Sequence, residues 1–425
     1  VTSPPAISLH DRLSPSRKWT IIVLLSAGMI NAYVDRANIS VVITLEDFIS
    51  TFGLTDISRG ALNSAFFWTY AFLQVPAGWI VDRYGVKFPY AVSYFFWGLF
   101  SAATGLTQAF WQILALRLLL GAGEAIVTPA SLKWIRFHCA EKERGLAVGV
   151  YMAGTKIGPA LGVPLTALLI ESYDWRTMFF IVGLGGLLLL IPWQLLVPRD
   201  RGDRETASGS EPQAPDVPFG RVLKSPALWG IVIGTFSYNY FSYFCMTWLP
   251  AYLVERRGLS LQSMGLYTMA GFGGMAAMAI FAGWFADRLI AQGHDPITIR
   301  KAFTIAGLVL ASTEVFGALS DSQSVSLFFA VFSLTGLGVM TANFWALTQT
   351  LIPGRAIGRI VGVQNFAANL AGIVSPIVTG WLKQVTGAYD APMKAIWVVL
   401  VIGVCSYLFL VRRRYAPMAG PPARG

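Results

Sequence analysis

Charge is what this 425-residue chain has least of: 13% of its residues are Asp, Glu, Lys or Arg, against 55% that are hydrophobic. That excludes an ordinary soluble domain, in which about a quarter of residues are charged. With a mean hydropathy of +0.58, the chain belongs in a lipid bilayer. The three cysteines, Cys139, Cys245 and Cys405, lie far apart with no metal-ligand spacing, so neither a disulfide framework nor a zinc site is indicated and they read as packing residues. The three histidines, His10, His138 and His294, fall in predicted tails or loops. Without an imidazole inside the bilayer, any intramembrane proton must travel on a carboxylate. No nucleophile constellation, phosphate-cradling loop or appended signalling domain is present, which argues against a membrane enzyme or a sensor, and no cofactor or metal is expected.

What the chain does have is apolar runs. Twelve of them, roughly 19–44, 58–80, 88–107, 110–137, 144–170, 176–197, 227–253, 262–287, 300–320, 324–352, 357–384 and 391–411, are long enough to cross ~30 Å of hydrocarbon as helices. The first is too long for a signal-peptide core and reads as a retained helix. The formal charge of +10 is spread over alternate loops rather than gathered in a patch, so no nucleic-acid partner is expected. One set of loops carries Arg83, Lys87, Arg136, Arg144, Arg288, Arg300, Lys301 and Arg412 to Arg414, the other only Arg59, Arg176, Arg256, Arg257, Lys383 and Lys394. The positive-inside rule then puts both termini in the cytoplasm. The expected organisation is a tail over 1–18, a six-helix bundle over 19–197, a polar linker over 198–226, a second bundle over 227–411 and a tail over 412–425, working as a monomer.

The stretch Gly78-Trp-Ile-Val-Asp-Arg-Tyr-Gly-Val-Lys87 follows the second run, and Gly283-Trp-Phe-Ala-Asp-Arg288 follows the eighth. A six-helix unit has been used twice. Two parallel six-span halves that share this loop resemble the major facilitator superfamily over nearly the whole chain. The resemblance implies an all-α integral membrane protein, twelve helices in two pseudo-symmetric bundles. It also implies a cytoplasmic latch at Gly78, Asp82, Arg83 and Gly85, repeated at Asp287 and Arg288. The glycines permit a sharp exit, and the Asp can pair with basic residues on a neighbouring helix.

Ionisable residues within the runs are the candidates for function, because burying a charge in hydrocarbon costs at least ~2.5–3.5 kcal/mol. Arg36 lies 17 residues beyond Trp19, ~26 Å along a helix. Arg117 and Glu124 on the antiparallel fourth run lie ~10 Å and ~21 Å in from the other surface. Asp35, Arg36 and Arg117 thus share a level, with Glu124 nearer the middle. Arg117 and Glu124 are seven apart, so they face nearly one way, and Gly121 and Gly123 leave that helix thin. Lys156 is ~18 Å deep in the fifth run. Three bases against two acids leave one surplus positive charge, which favours an anionic substrate, and Arg36 suits a carboxylate bidentately. A competing account is static pairing of Asp35 with Arg117 and of Glu124 with Lys156, which leaves Arg36 over. Lys133 reads as a snorkelling residue, Glu314 as an outer-interface position, and Tyr238 to Tyr243 as an aromatic patch around a possible helix break.

A narrower resemblance lies in Tyr33-Val-Asp-Arg-Ala-Asn38, Arg117 with Glu124, Thr247-Trp-Leu-Pro-Ala-Tyr-Leu253 and Asn365-Phe-Ala. These are similar to the anion:cation symporter family, which includes bacterial carriers of galactonate, glucarate and hexuronates and the sialin-type transporters. The resemblance implies proton-coupled import of an organic carboxylate through the inner membrane, with Asp35 and Glu124 protonated, Arg36 holding the substrate and Arg117 tuning the carboxylates. It also makes Trp345 and Asn365 substrate contacts, to which the residues add Tyr33 and Tyr70, with Asn343 and Asn369 as nearby amides. Where galactonate carriers have Gln, this chain has Thr155 followed by Lys156, and Ala342 replaces a Ser. Lys156 either serves a second carboxylate or only neutralises Glu124. The alternative within the fold is an exporter or exchanger of drugs or phosphorylated sugars.

Overall fold

The computed structural model describes residues 13–199, 223–351 and 357–415, the side chains of 141–142 and 357–359 excepted. His10, most of the expected linker and most of both tails lie outside the described residues. Among the described residues every regular element is helical. The first half runs α1 (Pro15–Val42), a short α2 (Glu46–Phe52), α3 (Asp56–Tyr84), α4 (Lys87–Ala103), α5 (Phe110–Glu124) continued by α6 (Val127–His138), α7 (Glu141–Ser172), and α8 (Trp175–Gly186) continued by α9 (Leu190–Leu196). The second half runs α10 (Pro226–Thr247), α11 (Leu261–Ala291), α12 (Pro296–Ser312) continued by α13 (Glu314–Ala318), α14 (Gln323–Leu351), α15 (Ile357–Thr386) and α16 (Asp390–Phe409). Counting each continued pair once and setting aside α2, these are twelve rods, one per apolar run. Among the described residues, nine are long and apolar enough to cross a membrane by length and composition alone.

By its contacts the chain divides into two units, residues 1–53 with 65–209 and residues 54–64 with 210–425. The first turns of α3 therefore belong with the second unit and the remainder with the first.

Local sequence explains where the rods begin and break. Ser14 caps α1 by accepting from the Arg17 N–H at 3.3 Å, with Pro15 in the first turn, where a missing N–H costs nothing. That moves the start of the first span four residues ahead of Trp19. Asp174 caps α8 in the same way, 2.8 Å from the Thr177 N–H. The fourth span, expected to be continuous, is broken at Ala125 and Ile126, directly after Glu124. Pro129 has no N–H to give the Ala125 carbonyl and its ring crowds that group, while Gly121 and Gly123 reduce the helix's resistance. The freed Gly123 carbonyl accepts a short hydrogen bond from the Ser93 hydroxyl of α4.

In the first unit, α7 carries Gly154, Gly158 and Gly162 at one-turn spacing. A Cβ would lie 2.9 Å from the Ser26 carbonyl at Gly154, 2.9 Å from the Ile30 carbonyl at Gly158 and closer still to Tyr33 there, and 2.9 Å from the Val34 Cα at Gly162. Small residues at this period let backbones approach closely in lipid, and the stripe fixes the rotation of α1 that presents Tyr33 and Arg36. Gly158→Val is expected to destabilise the protein by roughly 1–3 kcal/mol, as overpacking does. A thermal midpoint of the purified variant equal to that of the unsubstituted protein would count against so tight a seam.

The internal repeat extends to individual hydrogen bonds. Lys87, first residue of α4, donates to the carbonyls of Gln194 at 2.8 Å and Val197 at 2.6 Å. Lys301 of α12 donates to Leu408 at 3.3 Å and Val411 at 2.8 Å. The sequence separations are 107 and 110 residues in both copies. Each lysine satisfies the last carbonyls of its own unit's final rod, which no helical N–H reaches.

Candidate functional site

Asp35, Arg36, Arg117 and Glu124 are 1%, 3%, 4% and 0% exposed, while Val75, Trp79, Leu195 and Ile280 lie exposed on the outside. Polar inside and apolar outside is the arrangement a bilayer demands. The Nε and Nη2 of Arg36 both donate to Glu124 Oε2, each at 2.8 Å. The other oxygen, Oε1, is buried without a partner among the described residues. Around the guanidinium stand the rings of Tyr33, Phe66 and Tyr70, each with its centroid 4.5 Å from Cζ, a cation–π cage that holds the charge out of lipid. Phe66 and Tyr70, one turn apart on α3, are stacked at 5.2 Å, and the Tyr70 hydroxyl lies 3.4 Å from Thr128 Oγ1 at the broken segment of span four.

Asp35 is held separately. Trp97 Nε1 donates to its Oδ2 at 2.8 Å and the Ser101 hydroxyl to its Oδ1 at 2.5 Å. The amides of Asn31 and Asn38 stand at 3.4 Å, and Arg117 Nη1 donates to the Asp35 backbone carbonyl at 3.3 Å. The static pairings considered from spacing would have left Arg36 over, yet Arg36 is the residue that pairs with Glu124. The break after Glu124 and the length of the guanidinium together close the difference in depth. Lys156 sits half-buried on α7 within electrostatic reach of Tyr33. Thr155 donates its hydroxyl to the Met152 carbonyl of its own helix at 2.8 Å.

Trp97, Ser101 and Phe66 are site residues that sequence reasoning passes over. The signal is there for the first two: Ser93, Tyr94, Trp97 and Ser101 mark one face of span three at helical spacing.

The second unit carries amides and aromatics. Trp345 is half-buried on α14, its ring 5.0 Å from that of Phe344, and Asn365 is half-buried on α15 with its backbone carbonyl accepting from Asn369 Nδ2 at 3.0 Å. Asn343 is committed to the Val339 carbonyl at 3.1 Å and to Arg300 at 3.4 Å. The expected break near Tyr238 to Tyr243 is absent there, since α10 continues to Thr247 and the chain departs from it at Trp248. Glu314 is not an interface residue: it is 4% exposed and accepts from the Ser333 hydroxyl at 2.7 Å. His138 closes α6 rather than lying in a loop, its ring stacked on Trp134 at 4.5 Å.

Most of the predicted latch loop is the last turns of α3, and the turn itself is made at Gly85, φ 81°, a conformation open mainly to glycine. Asp82 pairs with Lys133 of α6 at 2.9 Å, so Lys133 has a partner rather than only snorkelling. In the second copy Asp287 pairs with Arg300 at 2.7 Å. Arg83 lies over the ring of Trp79 at 5.4 Å, and Arg288 lies over that of Trp284 at 5.6 Å.

A further charged cluster belongs to the second unit. Arg59, 3% exposed, pairs with Asp56 at 2.9 Å and with Glu255. Lys383 reaches Asp56 at 2.7 Å and Glu255 at 2.6 Å, and the Tyr389 hydroxyl donates to Glu255 at 2.9 Å. Burial alone would raise the Glu255 carboxyl, but the charge and hydrogen bond of Arg59 and those of Lys383 outweigh it and hold it below its ordinary value. A depressed carboxylate stabilises the fold above its unfolded pKa, and that contribution disappears as pH falls through the folded value. Glu255→Gln is therefore expected to lower the thermal midpoint at neutral pH, with the gap closing as the sample is acidified through the carboxylate range. A gap that is constant with pH would rule out a charge-based role.

Two six-rod units, apolar outside and with buried ionisable side chains, make this a multi-pass membrane protein, and its family and relatives make it a transporter rather than an enzyme. The chain belongs to the Major Facilitator Superfamily, whose family model matches residues 25–376. It is 30% identical to the D-galactonate transporter of Escherichia coli O6:H1 over 93% of this chain and 96% of that one. It is 28% identical to the hexuronate transporter of Bacillus subtilis over 95% and 96%. Among solved structures, a bacterial homologue of the human lysosomal transporter Spinster, inward-facing and occupied, superposes with a TM-score of 0.80 at 18% identity, covering 97% of this chain and 100% of that one, which supports the fold.

Proposed function

We propose that this transporter imports a small organic anion, a sugar acid or a related mono- or dicarboxylate, together with protons by alternating access. It does so across the inner membrane with both termini in the cytoplasm. The observation that carries this reading is the pair in which Arg36 spends two donors on one oxygen of Glu124 while the other oxygen has no partner among the described residues. An incoming carboxylate and Glu124 compete for the same guanidinium, so protonation of Glu124 and binding of the anion favour each other. The order is proton first, then anion. Asp35 is the second titratable group, Arg117 fixes the backbone beside it, and Lys156, the third base against two acids, is a further substrate-binding position. Tyr33 and Tyr70 offer hydroxyls and ring faces to a polyol chain, with Trp345 and Asn365 contributing from the second half. Gly78, Asp82, Arg83 and Gly85, with Asp287 and Arg288, act as latches and touch no substrate.

Proteoliposomes containing the purified protein, offered labelled galactonate, glucarate or glucuronate under an imposed pH gradient, test this directly. Accumulation above equilibrium is expected when the outside is acidic and is expected to collapse with a protonophore. Uptake indifferent to the gradient would refute proton coupling, and failure of every sugar acid to shift the thermal midpoint would refute the substrate class.

A further inference from the structure

A cleft of about 360 Å³ opens in the second unit between the start of α12 and the residues that follow α16. Both rods are long and apolar enough to span, so the cleft stands where they leave the hydrocarbon. Lys301, Arg412 and Arg413 face one carboxylate, Asp295, within its lining, leaving a surplus of two positive charges. That carboxylate is already engaged, capping α12 through the Thr298 N–H at 2.9 Å and hydroxyl at 2.6 Å while pairing with Arg413. Lys301 has given two of its N–H groups to the Leu408 and Val411 carbonyls at the end of α16, which holds its ammonium at the cleft wall with one still to donate. Arg412 engages the Leu408 carbonyl through Nε, at 3.4 Å. Beside these heads the lining is apolar, with Ile297 one turn before Lys301 on α12 and Ile305 one turn after it.

The internal repeat isolates what is special here. The first copy has the same lysine clasp, at Lys87, but is followed by Pro198 and Arg199 where the second has Arg412 and Arg413. The clasp is thus a feature of the fold, and the added arginine and the polar Asp295 cap are features of this cleft. Cations flanked by apolar side chains at the membrane boundary match a phosphate ester carrying a glyceryl chain. A free phosphate would use the cations and leave Ile297 and Ile305 without a role.

We propose that this cleft binds the head group of an anionic phospholipid, its phosphate held by Lys301, Arg412 and Arg413 and its glycerol lying against Ile297 and Ile305. Two arginines near an anionic surface are worth enough that removing both lowers retention by about tenfold or more. The test is native mass spectrometry and thermal shift of the full-length protein in mixed micelles containing either dioleoylphosphatidylglycerol or dioleoylphosphatidylcholine, with inorganic phosphate as a separate arm. The variant is Arg412→Gln with Arg413→Gln, which leaves the Lys301 clasp in place; Arg412→Gln alone serves if the double variant is unstable. The unsubstituted protein is expected to retain and be stabilised by phosphatidylglycerol over phosphatidylcholine, and the variant to lose that preference. Equal retention by variant and parent overturns the proposal, as does an equal loss in the control Arg136→Gln, which would indicate diffuse surface charge. Stabilisation by millimolar inorganic phosphate with no lipid preference would make this a free-anion site and overturn it too.

Discussion

Arg36→Lys is expected to reduce sugar-acid uptake by about two orders of magnitude, although the charge is kept. The planar guanidinium presents two donors to one carboxylate oxygen, as it does to Glu124, and an ammonium on a shorter stem cannot reproduce that fork. Losing one charge-assisted hydrogen bond of ~1.5–3 kcal/mol, together with the cage of three rings, accounts for a hundredfold effect. Arg36→Ala is expected to be worse in a distinct way, because it strands the buried Glu124 charge at a cost of ~3–5 kcal/mol. The double variant Arg36→Ala with Glu124→Gln removes both charges and is expected to regain stability without regaining uptake. Measuring uptake and thermal midpoint across the three variants separates binding from folding; full activity in Arg36→Lys would refute a bidentate substrate site.

Glu124→Gln is expected to abolish accumulation driven by a pH gradient while sparing exchange of labelled for unlabelled substrate. The amide resembles the protonated acid, so the site is held in the state that leaves Arg36 available to substrate, but nothing remains there to release a proton. Counterflow in proteoliposomes checks the exchange arm and gradient-driven uptake the other. Accumulation that survives the substitution would remove Glu124 from the coupling path and leave Asp35, held by Trp97 and Ser101, as the group to examine.

How much of this is readable in advance divides along physical lines. The ionisable residues announce themselves because an Asp, an Arg or a Glu in an apolar run has few reasons to be there, and helical rise is enough to bring Asp35, Arg36 and Arg117 to one level, with Glu124 deeper. Which charge meets which is not legible, since that depends on the rotation of α1, set by glycines on α7 far along the chain, and on where span four breaks. Trp97 and Ser101 escape notice because tryptophan and serine are common in membrane helices and carry no charge to mark them. Glu314 is misplaced by sequence because position along a span does not reveal which face a side chain takes, and its partner Ser333 is an ordinary hydroxyl. The repeat, by contrast, is visible from Gly78 and Gly283 onward because the same Gly-Trp…Asp-Arg order recurs near the ends of α3 and α11, where each Asp pairs with a base and each Arg lies over its Trp.

That duplication has left an uneven inheritance. The two lysine clasps still match in their spacing, whereas the Arg36–Glu124 pair stands in the first half and α14 and α15 of the second carry Asn343, Trp345, Asn365 and Asn369. On the proposed reading, a lineage built this way can retune the polyol chain it accepts by drifting at Trp345 and Asn365 of α14 and α15 while Arg36 and Glu124 keep the carboxylate and the proton, so divergence in the second half becomes a guide to diet.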